Sequence, residues 1–457
     1  MEDLASIFKA YDVRGLVPEQ LDAEIARLIG GSWARLIKKN EPKTTSVLVG
    51  RDMRPSGEEL VAAFSEGVTA QNLDVIDLGL CSTDMLYFAS GHLQIPGSIF
   101  TASHNPSGYN GIKFCFSEAR PVSSDTGLNE IRDEVLSKTK PGNGTGNISQ
   151  LNLLEDFATH VRSFVDTSKL RPLRVVADTA NGMGGLVVPV VFQSLPFELE
   201  IIYQDLDGTF PNHPADPIQS ENLVDLQKRV LETNADIGLA FDGDADRVFL
   251  VDEKAQLVSG SVTTALVAKK VLQGEPGATI VYNLICSQIV PETITQMGGR
   301  PVRTRVGHSY IKKVMAEEQA AFGGEHSGHY YFRDNFRADS GLIAALIVLE
   351  ELSSTSKPLS LLTEPFNAYI TSGEINVEVE ESSKVIQEVS KKYLEYEQDN
   401  LDGLTVQLEK CWFNLRPSNT EPLLRLNLEA EDKTTYEKTL QEVQELIELN
   451  RKSKEIR

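Results

Sequence analysis

The sequence predicts an α/β protein with three similar α/β domains that contain mixed sheets, followed by a smaller C-terminal α+β domain. Two observations support this fold class. Strand and helix patterns alternate in three rounds before Lys357-Pro358, and the pattern then changes to well-separated strands with one amphipathic helix. The chain has 457 residues, of which 41% are hydrophobic. It is too long for a single core, so about three or four domains are expected.

The first round is a βαβ unit. Residues 46–50 form an apolar run typical of a buried strand, and Ser56 with Glu59 matches a capping box at the start of a helix. The next strand is predicted at residues 75–78, which implies a partly parallel sheet covered by helices. Residues 140–147 are rich in Gly, Asn and Pro and show no periodicity, so the first domain boundary is placed there.

The later rounds follow the same logic. The second has predicted strands at 174–177, 199–203 and 237–241 and a helix at 223–233. The third has predicted helices at 261–272, 287–297 and 340–352, a strand at 279–282 and a helix after His308. The last domain has predicted strands at 374–379, 404–408 and 423–428 and a helix at 435–449. We place the domains at residues 1–147, 148–253, 254–362 and 363–457.

Composition excludes several functions. The chain carries 44 basic and 66 acidic residues and a net charge of -22, so neither nucleic acid nor an anionic membrane is an expected partner. A phosphorylated ligand would need a locally basic pocket. The four cysteines form no CxxC pair, and no apolar run reaches the roughly 18 residues that span a bilayer. We therefore expect reduced thiols, a cytoplasmic location and no membrane segment.

An acidic loop between two apolar runs is the strongest candidate for chemistry. Asp242, Asp244 and Asp246 alternate, and such carboxylates need a compensating cation when water is scarce. Ligation by oxygen alone favours Mg²⁺ or Ca²⁺ over zinc. An EF-hand is excluded because Arg247 stands where that loop requires Gly. A metal site is favoured over a solvated acidic turn.

A second candidate is the turn-rich loop at residues 101–114, which presents Ser103 and His104 after a strand. A serine in a turn is commonly a turn residue, but a nearby Mg²⁺ site changes this interpretation. A hydroxyl beside such an ion is placed to accept a phosphoryl group. A GxSxG elbow is missing from the sequence, so an α/β-hydrolase is disfavoured.

Two further polar stretches are candidates for ligand binding. Glu325, Ser327 and His329 alternate, so an extended backbone would point all three to one side and suit a hydroxyl-rich ligand. A polar glycine loop is the alternative there. The stretch from Arg416 to residue 422 offers a guanidinium, hydroxyls, an amide and turn N–H groups that could encircle a phosphate. A turn with an exposed arginine is equally open on this pattern alone.

Together with the opening segment KAYDVRG at residues 9–15, these stretches resemble the α-D-phosphohexomutase superfamily, specifically the phosphomannomutase/phosphoglucomutase group. The motifs occur in the same order over nearly the whole chain. The resemblance implies four domains arranged around a central cleft, each of which contributes one loop to a single active site.

The resemblance also implies roles for individual residues. Ser103 would be the phosphoserine, and its phosphate would hold Mg²⁺ with Asp242, Asp244 and Asp246. The implied catalytic residues are Ser103, Lys113, Arg247, His308 and His329, with Lys113 or a histidine as candidates for proton transfer. The implied substrate-binding residues are Tyr11, Arg14, Glu325, Ser327, Arg416, Ser418, Asn419 and Thr420.

The activity implied is that of a phosphomannomutase, which interconverts mannose 6-phosphate and mannose 1-phosphate through a hexose 1,6-bisphosphate. Use of glucose phosphates, or phosphoglucomutase as the main activity, is the alternative. Phosphoglucosamine mutase is less favoured because His326 stands where those relatives usually have Gln. Two other classes remain as hypotheses, a serine hydrolase and a non-catalytic protein that binds Ca²⁺ or a sugar phosphate.

Two positions depart from the pattern of this group. Ile285 occupies a segment where many relatives carry a lysine, so a cationic contact with the sugar would be missing. Ala245 stands where glycine is common, and we expect a negative φ at this position if alanine is to be tolerated.

Overall fold

The computed structural model describes residues 2–140, 142–418 and 423–452. Four sheets are present in this part of the chain, three of them mixed and covered by helices and the fourth antiparallel. The predicted fold class is confirmed. None of the described helices has both the length and the apolar character needed to cross a membrane.

The first sheet has seven strands in the order β1-β5-β4-β2-β3-β7, with β6 paired to β5. Strands β2, β3, β4 and β7 run parallel, which explains the apolar character of the central strands. The elements are α1 (Glu2–Ala5), β1 (Asp12–Leu16), α2 (Ala23–Asn40), β2 (Ser46–Arg51), α3 (Gly57–Thr69), β3 (Asp74–Leu80), α4 (Thr83–Leu93), β4 (Gly97–Phe100), β5 (Tyr109–Phe116), β6 (Arg120–Pro121), α5 (Asn129–Leu136) and β7 (Ile148–Gln150).

The second sheet has the order β12-β11-β10-β8-β9. Its strands β8, β9 and β10 are parallel, and β11 and β12 are added antiparallel at one edge. The elements are α6 (Leu154–Arg162), β8 (Arg174–Asp178), α7 (Gly184–Phe192), β9 (Glu198–Ile202), α8 (Val224–Thr233), β10 (Ile237–Phe241), β11 (Val248–Asp252) and β12 (Leu257–Val258).

The third sheet has the order β14-β13-β15-β16-β17 and begins parallel before turning antiparallel. The elements are α9 (Gly260–Gly274), β13 (Thr279–Asn283), α10 (Ile289–Gln296), β14 (Arg300–Thr304), α11 (His308–Glu317), β15 (Phe322–Gly324), β16 (Tyr330–Phe332), β17 (Ala338–Asp339), α12 (Gly341–Ser353) and α13 (Leu359–Thr363).

The fourth sheet is antiparallel, in the order β18-β22-β21-β20-β19, and two helices accompany it. The elements are β18 (Ile370–Glu378), α14 (Ser382–Lys392), β19 (Glu397–Asp399), β20 (Leu404–Gln407), β21 (Cys411–Pro417), β22 (Leu423–Ala430) and α15 (Lys433–Lys452). Strand β7 joins the first sheet and β12 the second, each a few residues past the predicted domain ends at 147 and 253. The domain boundaries stay predictions.

The packing separates the last domain from the others. One continuous apolar cluster includes side chains of all three α/β domains, such as Leu48, Leu239 and Leu346. The residues around Phe413 and Val443 form a cluster of their own in the fourth domain. The first three domains therefore share a core, whereas the C-terminal domain has its own.

The predicted capping box at Ser56 is wrong in detail. Helix α3 does start directly after Ser56, but the serine side chain makes no cap hydrogen bond. Its Oγ instead accepts a hydrogen bond from Asn110 Nδ2 at 2.9 Å. Ser56 therefore binds the start of β5 rather than satisfying the helix N-terminus.

Helices α2 and α3 pack closely through glycine, and this contact gives a stability prediction. A Cβ on Gly67 would lie 2.1 Å from the carbonyl oxygen of Arg27. Gly67→Ala is therefore expected to lower the free energy of unfolding by about 2 kcal/mol, because backbone must move to admit the methyl group.

The matched control is Gly274→Ala at the end of α9, where an added Cβ meets nothing within 4 Å. That substitution should be neutral or stabilising by up to about 1 kcal/mol. Urea unfolding of the two variants measures both values. Equal stability of Gly67→Ala and wild type would show that the α2–α3 contact is looser than the structure has it.

Candidate functional site

The acidic loop joins β10 to β11, which pair antiparallel with Phe241 opposite Val248. Its three carboxylates, on Asp242, Asp244 and Asp246, are buried. One oxygen from each lies within 4.8 Å of the others. The structure therefore brings the three predicted metal ligands together, away from bulk water.

The Ser103 loop of the first domain lies against this acidic loop. Ser103 Oγ donates a hydrogen bond of 2.9 Å to Asp242 Oδ2. Gly243 allows the approach, because a Cβ at that position would lie 2.4 Å from the carbonyl oxygen of Ser103. The hydroxyl of Thr83, at the start of α4, also donates to Asp244 Oδ2 at 2.5 Å. Two domains thus meet at the carboxylates.

Two cations balance the buried negative charge. Lys113 Nζ, from β5, lies 2.6 Å from Asp244 Oδ2 and 2.9 Å from Asp246 Oδ2. Arg247 Nε donates to Asp242 Oδ2 at 2.8 Å. Burial keeps the pKa of Asp242 well above its ordinary value despite Arg247. Burial acts the same way on Asp244, but the Lys113 charge and its hydrogen bond outweigh it and hold the pKa of Asp244 below its ordinary value.

The carboxylates retain coordination capacity. Asp244 Oδ1 and Asp246 Oδ1 are buried and have no hydrogen-bond partner among the described residues. Hard oxygen donors that converge in this way fit Mg²⁺, which prefers carboxylate oxygens. Asp242, Asp244 and Asp246 could hold such an ion.

The backbone is left-handed on both sides of the contact. Ser103 has φ = 49° and Ala245 has φ = 61°. The expectation of a negative φ at Ala245 is wrong. Non-glycine residues in this region cost about 1–3 kcal/mol and persist where their surroundings fix them. The strain therefore lies in the two loops whose mutual geometry the site depends on.

His104 lies between Ser103 and Arg247. Its Nδ1 is 3.2 Å from Ser103 Oγ and 2.7 Å from Arg247 Nη2. Although much of His104 is open to solvent, desolvation within the cleft and the Arg247 charge hold the pKa of His104 well below its ordinary value. A triad of the hydrolase type needs a carboxylate that orients the histidine. Here His104 is oriented by a guanidinium, which makes it a poor general base for Ser103.

The expectation of an extended segment at Glu325–His329 is wrong, because these residues form the turn between β15 and β16. Gly328 N donates to Glu325 O at 3.1 Å, and Glu325 N to His329 O at 3.0 Å. Glu325 is buried and accepts a 2.6 Å hydrogen bond from Tyr331. Ser327 Oγ lies 2.9 Å from His329 Nδ1. Within this turn Glu325 is bound by Tyr331, while Ser327 is paired with His329.

This turn also contacts the acidic loop. His329 pairs with Arg247 through an antiparallel bridge, and its Nε2 lies 3.8 Å from Asp246 Oδ1. His308, the first residue of α11, has its ring centroid 4.8 Å from that of Tyr11. The third domain thus adds His329 to the buried cluster and pairs His308 with an aromatic residue of the first domain.

The remaining predicted residues border a cavity of about 700 Å³ between the first and fourth domains. Its walls include Tyr11, Arg14, Arg416 and Ser418. His104, beside Ser103, lines the same cavity. Asn419 and Thr420 lie outside the described residues. Ile285 is buried and lines a separate cavity of about 160 Å³ between the third and fourth domains.

Sequence reasoning missed an arginine that accompanies Arg416. Arg425 lies directly opposite Arg416 in the β21–β22 pair and lines the same cavity. Glu374 pairs with both, at 2.8 Å from Arg416 Nη2 and 3.1 Å from Arg425 Nη1. An arginine in an antiparallel strand beside a predicted phosphate loop was the available signal. Two guanidiniums on the far wall of the cavity make that wall basic in an acidic protein.

A second omission concerns the segment after β2, where no functional residue was predicted from the sequence. Asp52 and Arg54 are buried and form an ion pair behind the Ser103 loop. Strands β2 and β4 are parallel neighbours, so the residues that follow them meet at one edge of the sheet. Charged residues directly after a buried parallel strand were the signal.

Comparisons with known proteins agree with this geometry. The chain matches four phosphoglucomutase/phosphomannomutase domain models, namely α/β/α domain I at residues 5–141, domain II at 154–256, domain III at 259–369 and the C-terminal domain at 374–446. The fold is that of the phosphoglucomutase/phosphomannomutase domain architecture.

Two named relatives and one solved structure are similar over nearly their full length. The phosphohexose mutases of Xanthomonas campestris pv. campestris (strain B100) are 39% identical, covering 96% of this chain and 98% of the relative. A phosphomannomutase of Vibrio cholerae is 38% identical, covering 93% and 94%. A phosphoglucomutase/phosphomannomutase family protein of Burkholderia thailandensis superposes with a TM-score of 0.89 at 30% identity, covering 98% of both chains. The chain belongs to the phosphoglucomutase/phosphomannomutase family.

The charge balance around Lys113 gives a metal-linked prediction. Lys113→Met leaves two buried carboxylates without their ammonium partner and should cost about 3–5 kcal/mol of stability when divalent metal is removed. Saturating Mg²⁺ should raise the melting temperature of this variant more than that of wild type, because the ion replaces the lost charge. Thermal unfolding in EDTA and in Mg²⁺ measures the difference.

Lys43→Met, at an exposed position of the same domain, is the control and should behave as wild type does. If Lys113→Met is as stable as wild type in EDTA, the proposed balance of charge between Lys113 and the two carboxylates is wrong.

His308 gives a pH prediction. Burial, with the neighbouring Lys312 charge, holds the pKa of His308 well below 6.5. Below pH 6.5 the unfolded chain binds a proton at this residue that the folded chain does not. The free energy of unfolding therefore decreases as pH falls, by up to about 1.4 kcal/mol per pH unit. Urea unfolding between pH 7.5 and 5 should show a shallower loss for His308→Asn, and parallel curves would refute the assignment.

Proposed function

We propose that the protein is a phosphomannomutase that interconverts mannose 6-phosphate and mannose 1-phosphate through phospho-Ser103 and a hexose 1,6-bisphosphate, with Mg²⁺ as its metal ion. The observation that carries the proposal is the hydrogen bond from Ser103 Oγ to Asp242, at the meeting point of a serine loop and three buried carboxylates. The substrate class follows the relatives named as phosphomannomutase and phosphohexose mutases.

In the proposed first step, the free hydroxyl of a hexose monophosphate attacks the phosphorus of phospho-Ser103. The bond from phosphorus to Ser103 Oγ breaks as the new bond to the sugar oxygen forms, and the hydroxyl proton passes to a base. His329 is favoured as that base, because the Lys113 ammonium is already engaged by two carboxylates. Arg247 lies beside Ser103 through Asp242 and His104 and can balance charge on the phosphoryl oxygens.

Asp242, Asp244 and Asp246 would hold Mg²⁺ together with an oxygen of the Ser103 phosphate, and the ion would neutralise the transferring oxygens. The hexose 1,6-bisphosphate would then reorient by half a turn. Ser103 Oγ would take up the other phosphoryl group, and the proton would return to the newly freed sugar oxygen.

The far wall of the cavity is proposed to bind the phosphate that does not react. Arg416, Arg425 and Ser418 border the cavity there, and the fork of a guanidinium suits phosphate oxygens. Asn419 and Thr420 are proposed to complete this binding set.

Other substrate contacts are proposed in the first and third domains. Tyr11 and Arg14 would contact the reacting end, and Glu325 and Ser327 would bind sugar hydroxyls. His308 would lie near the reacting sugar.

A cytoplasmic location is part of the proposal, because all four cysteines are free thiols and buried.

Phosphoglucomutase as the main activity is the competing proposal, since mannose and glucose differ in the orientation of one hydroxyl. The phosphoglucomutase/phosphomannomutase name shared by the domain models supports both substrates. The ratio of kcat/KM for mannose 1-phosphate and glucose 1-phosphate decides between them.

Ser103 gives the direct test of the reaction. With Mg²⁺ and a hexose bisphosphate activator, wild type should convert at least one of the two sugar phosphates. Ser103→Ala should lower kcat by about 10³-fold or more, because the phosphoryl carrier is removed.

Ser107→Ala, at an exposed position of the same loop, is the matched control and should retain activity. Sugar-phosphate binding without turnover in both wild type and Ser103→Ala would instead identify a non-catalytic binding protein.

A further inference from the structure

The guanidinium of Arg54 lies behind the Ser103 loop and binds it through backbone carbonyls. The Arg54 side chain is almost fully buried. Its Nη2 donates to the carbonyl oxygens of Ser103 at 2.9 Å and Asn105 at 2.6 Å. Its Nη1 donates to those of Pro106 and Tyr109, both at 2.8 Å. One side chain thus donates hydrogen bonds to four carbonyl groups within the seven residues 103–109.

The fifth N–H of the guanidinium is also used. Arg54 Nε donates to Asp52 Oδ2 at 3.3 Å, and Arg54 N donates to Asp52 Oδ1 at 2.9 Å. A guanidinium has five N–H donors, so none of them is left over for a substrate. The ring of Phe210, from the second domain, lies 5.2 Å from Arg54 Cζ and covers it. Arg54 therefore contacts the loop rather than the reacting atoms.

The Ser103 loop needs such a contact. Ser103 has a left-handed backbone (φ = 49°), and this conformation persists only when the surrounding structure fixes it. The carbonyl group of Ser103 is itself a ligand of Arg54. The same peptide that carries the strain is therefore tied to the buried cation.

We propose that Arg54 is the positioning residue for the Ser103 nucleophile. By collecting the carbonyl groups of residues 103, 105, 106 and 109 on one rigid fork, it keeps Ser103 Oγ directed at Asp242 and the metal-binding carboxylates. The proposal rests on the proposed role of Ser103 as phosphoryl carrier. It assigns to Asp52 the task of holding the guanidinium in place against the four carbonyl groups.

This role predicts a specific kinetic pattern. The proposed phosphate-binding wall at Arg416 lies in another domain, and the contacts of Arg54 with the described residues are with Asp52, the Ser103 loop and Phe210, so KM should change by less than about threefold. A nucleophile displaced by about 1 Å loses on the order of 100-fold in rate. The loss should therefore appear in kcat.

The principal variant is Arg54→Lys. Lysine keeps a positive charge beside Asp52 but offers three donors on one atom instead of a planar fork, so it cannot reproduce the four carbonyl bonds. We expect kcat to fall about 100-fold, KM to stay within about threefold of wild type, and hydrogen exchange of the amides at residues 103–109 to accelerate. Arg51→Lys is the matched control and should leave all three unchanged, because it alters only a pair with Glu58 at the end of β2.

A second variant keeps the test interpretable if Arg54→Lys does not fold. The double variant Asp52→Asn/Arg54→Met removes both buried charges together, so neither is left unpaired, and it should show the same loss of kcat and the same faster exchange. A folded variant of either kind with kcat within about threefold of wild type overturns the proposal, and so does a loss of kcat without faster exchange in the loop. Failure of both variants to fold would show a general stabilising role and overturn it as well.

Different observations would contradict the proposed function and the proposed role of Arg54. If wild-type protein forms no phospho-Ser103 and converts neither sugar phosphate, the proposed function is wrong. The exchange comparison of residues 103–109 is independent of turnover and still shows whether Arg54 holds the loop.

Discussion

The burial of three carboxylates beside Ser103 is the constraint on which the rest of the site depends. Charge of this density cannot leave water unless cations accompany it. Lys113 comes from the first domain, Arg247 from the acidic loop itself, and the free oxygens of Asp244 and Asp246 suit a divalent ion. Because the balancing groups come from two domains, the serine loop and the acidic loop must be assembled together. The shared apolar core of the first three domains supplies the rigid support for that assembly.

A basic wall of the cavity lies across from the loop that contacts this acidic cluster. Arg416 and Arg425 stand on a domain with its own core, opposite the loop that carries Ser103. Glu374 bridges the two guanidiniums, which leaves the wall with a single net positive charge from these three groups. An acidic protein can thus bind a phosphorylated sugar locally while its surface repels polyanions. The arrangement suits a substrate with a phosphate at one end and a reacting hydroxyl at the other.

Much of this could be predicted from the sequence because the informative patterns were local. The alternation of Asp242, Asp244 and Asp246 between two apolar runs, and the turn that presents Ser103, required no knowledge of distant contacts. The errors and omissions arose where distant contacts decide conformation. Ala245 adopts a positive φ in a loop that Thr83 of the first domain binds through Asp244, and the Glu325–His329 segment turns because β15 and β16 pair. Arg54 was missed because its four carbonyl partners lie about fifty residues further along the chain.

In the proposed mechanism, the phosphoryl group on Ser103 is passed to the sugar and not to water. Rapid-quench analysis of enzyme labelled with ³²P on Ser103 and mixed with unlabelled mannose 6-phosphate tests this most directly. We expect the label to leave the protein within one turnover and to appear first in hexose 1,6-bisphosphate and then in hexose monophosphate. Label that stays on the protein through many turnovers, or that is released directly as inorganic phosphate, would contradict it.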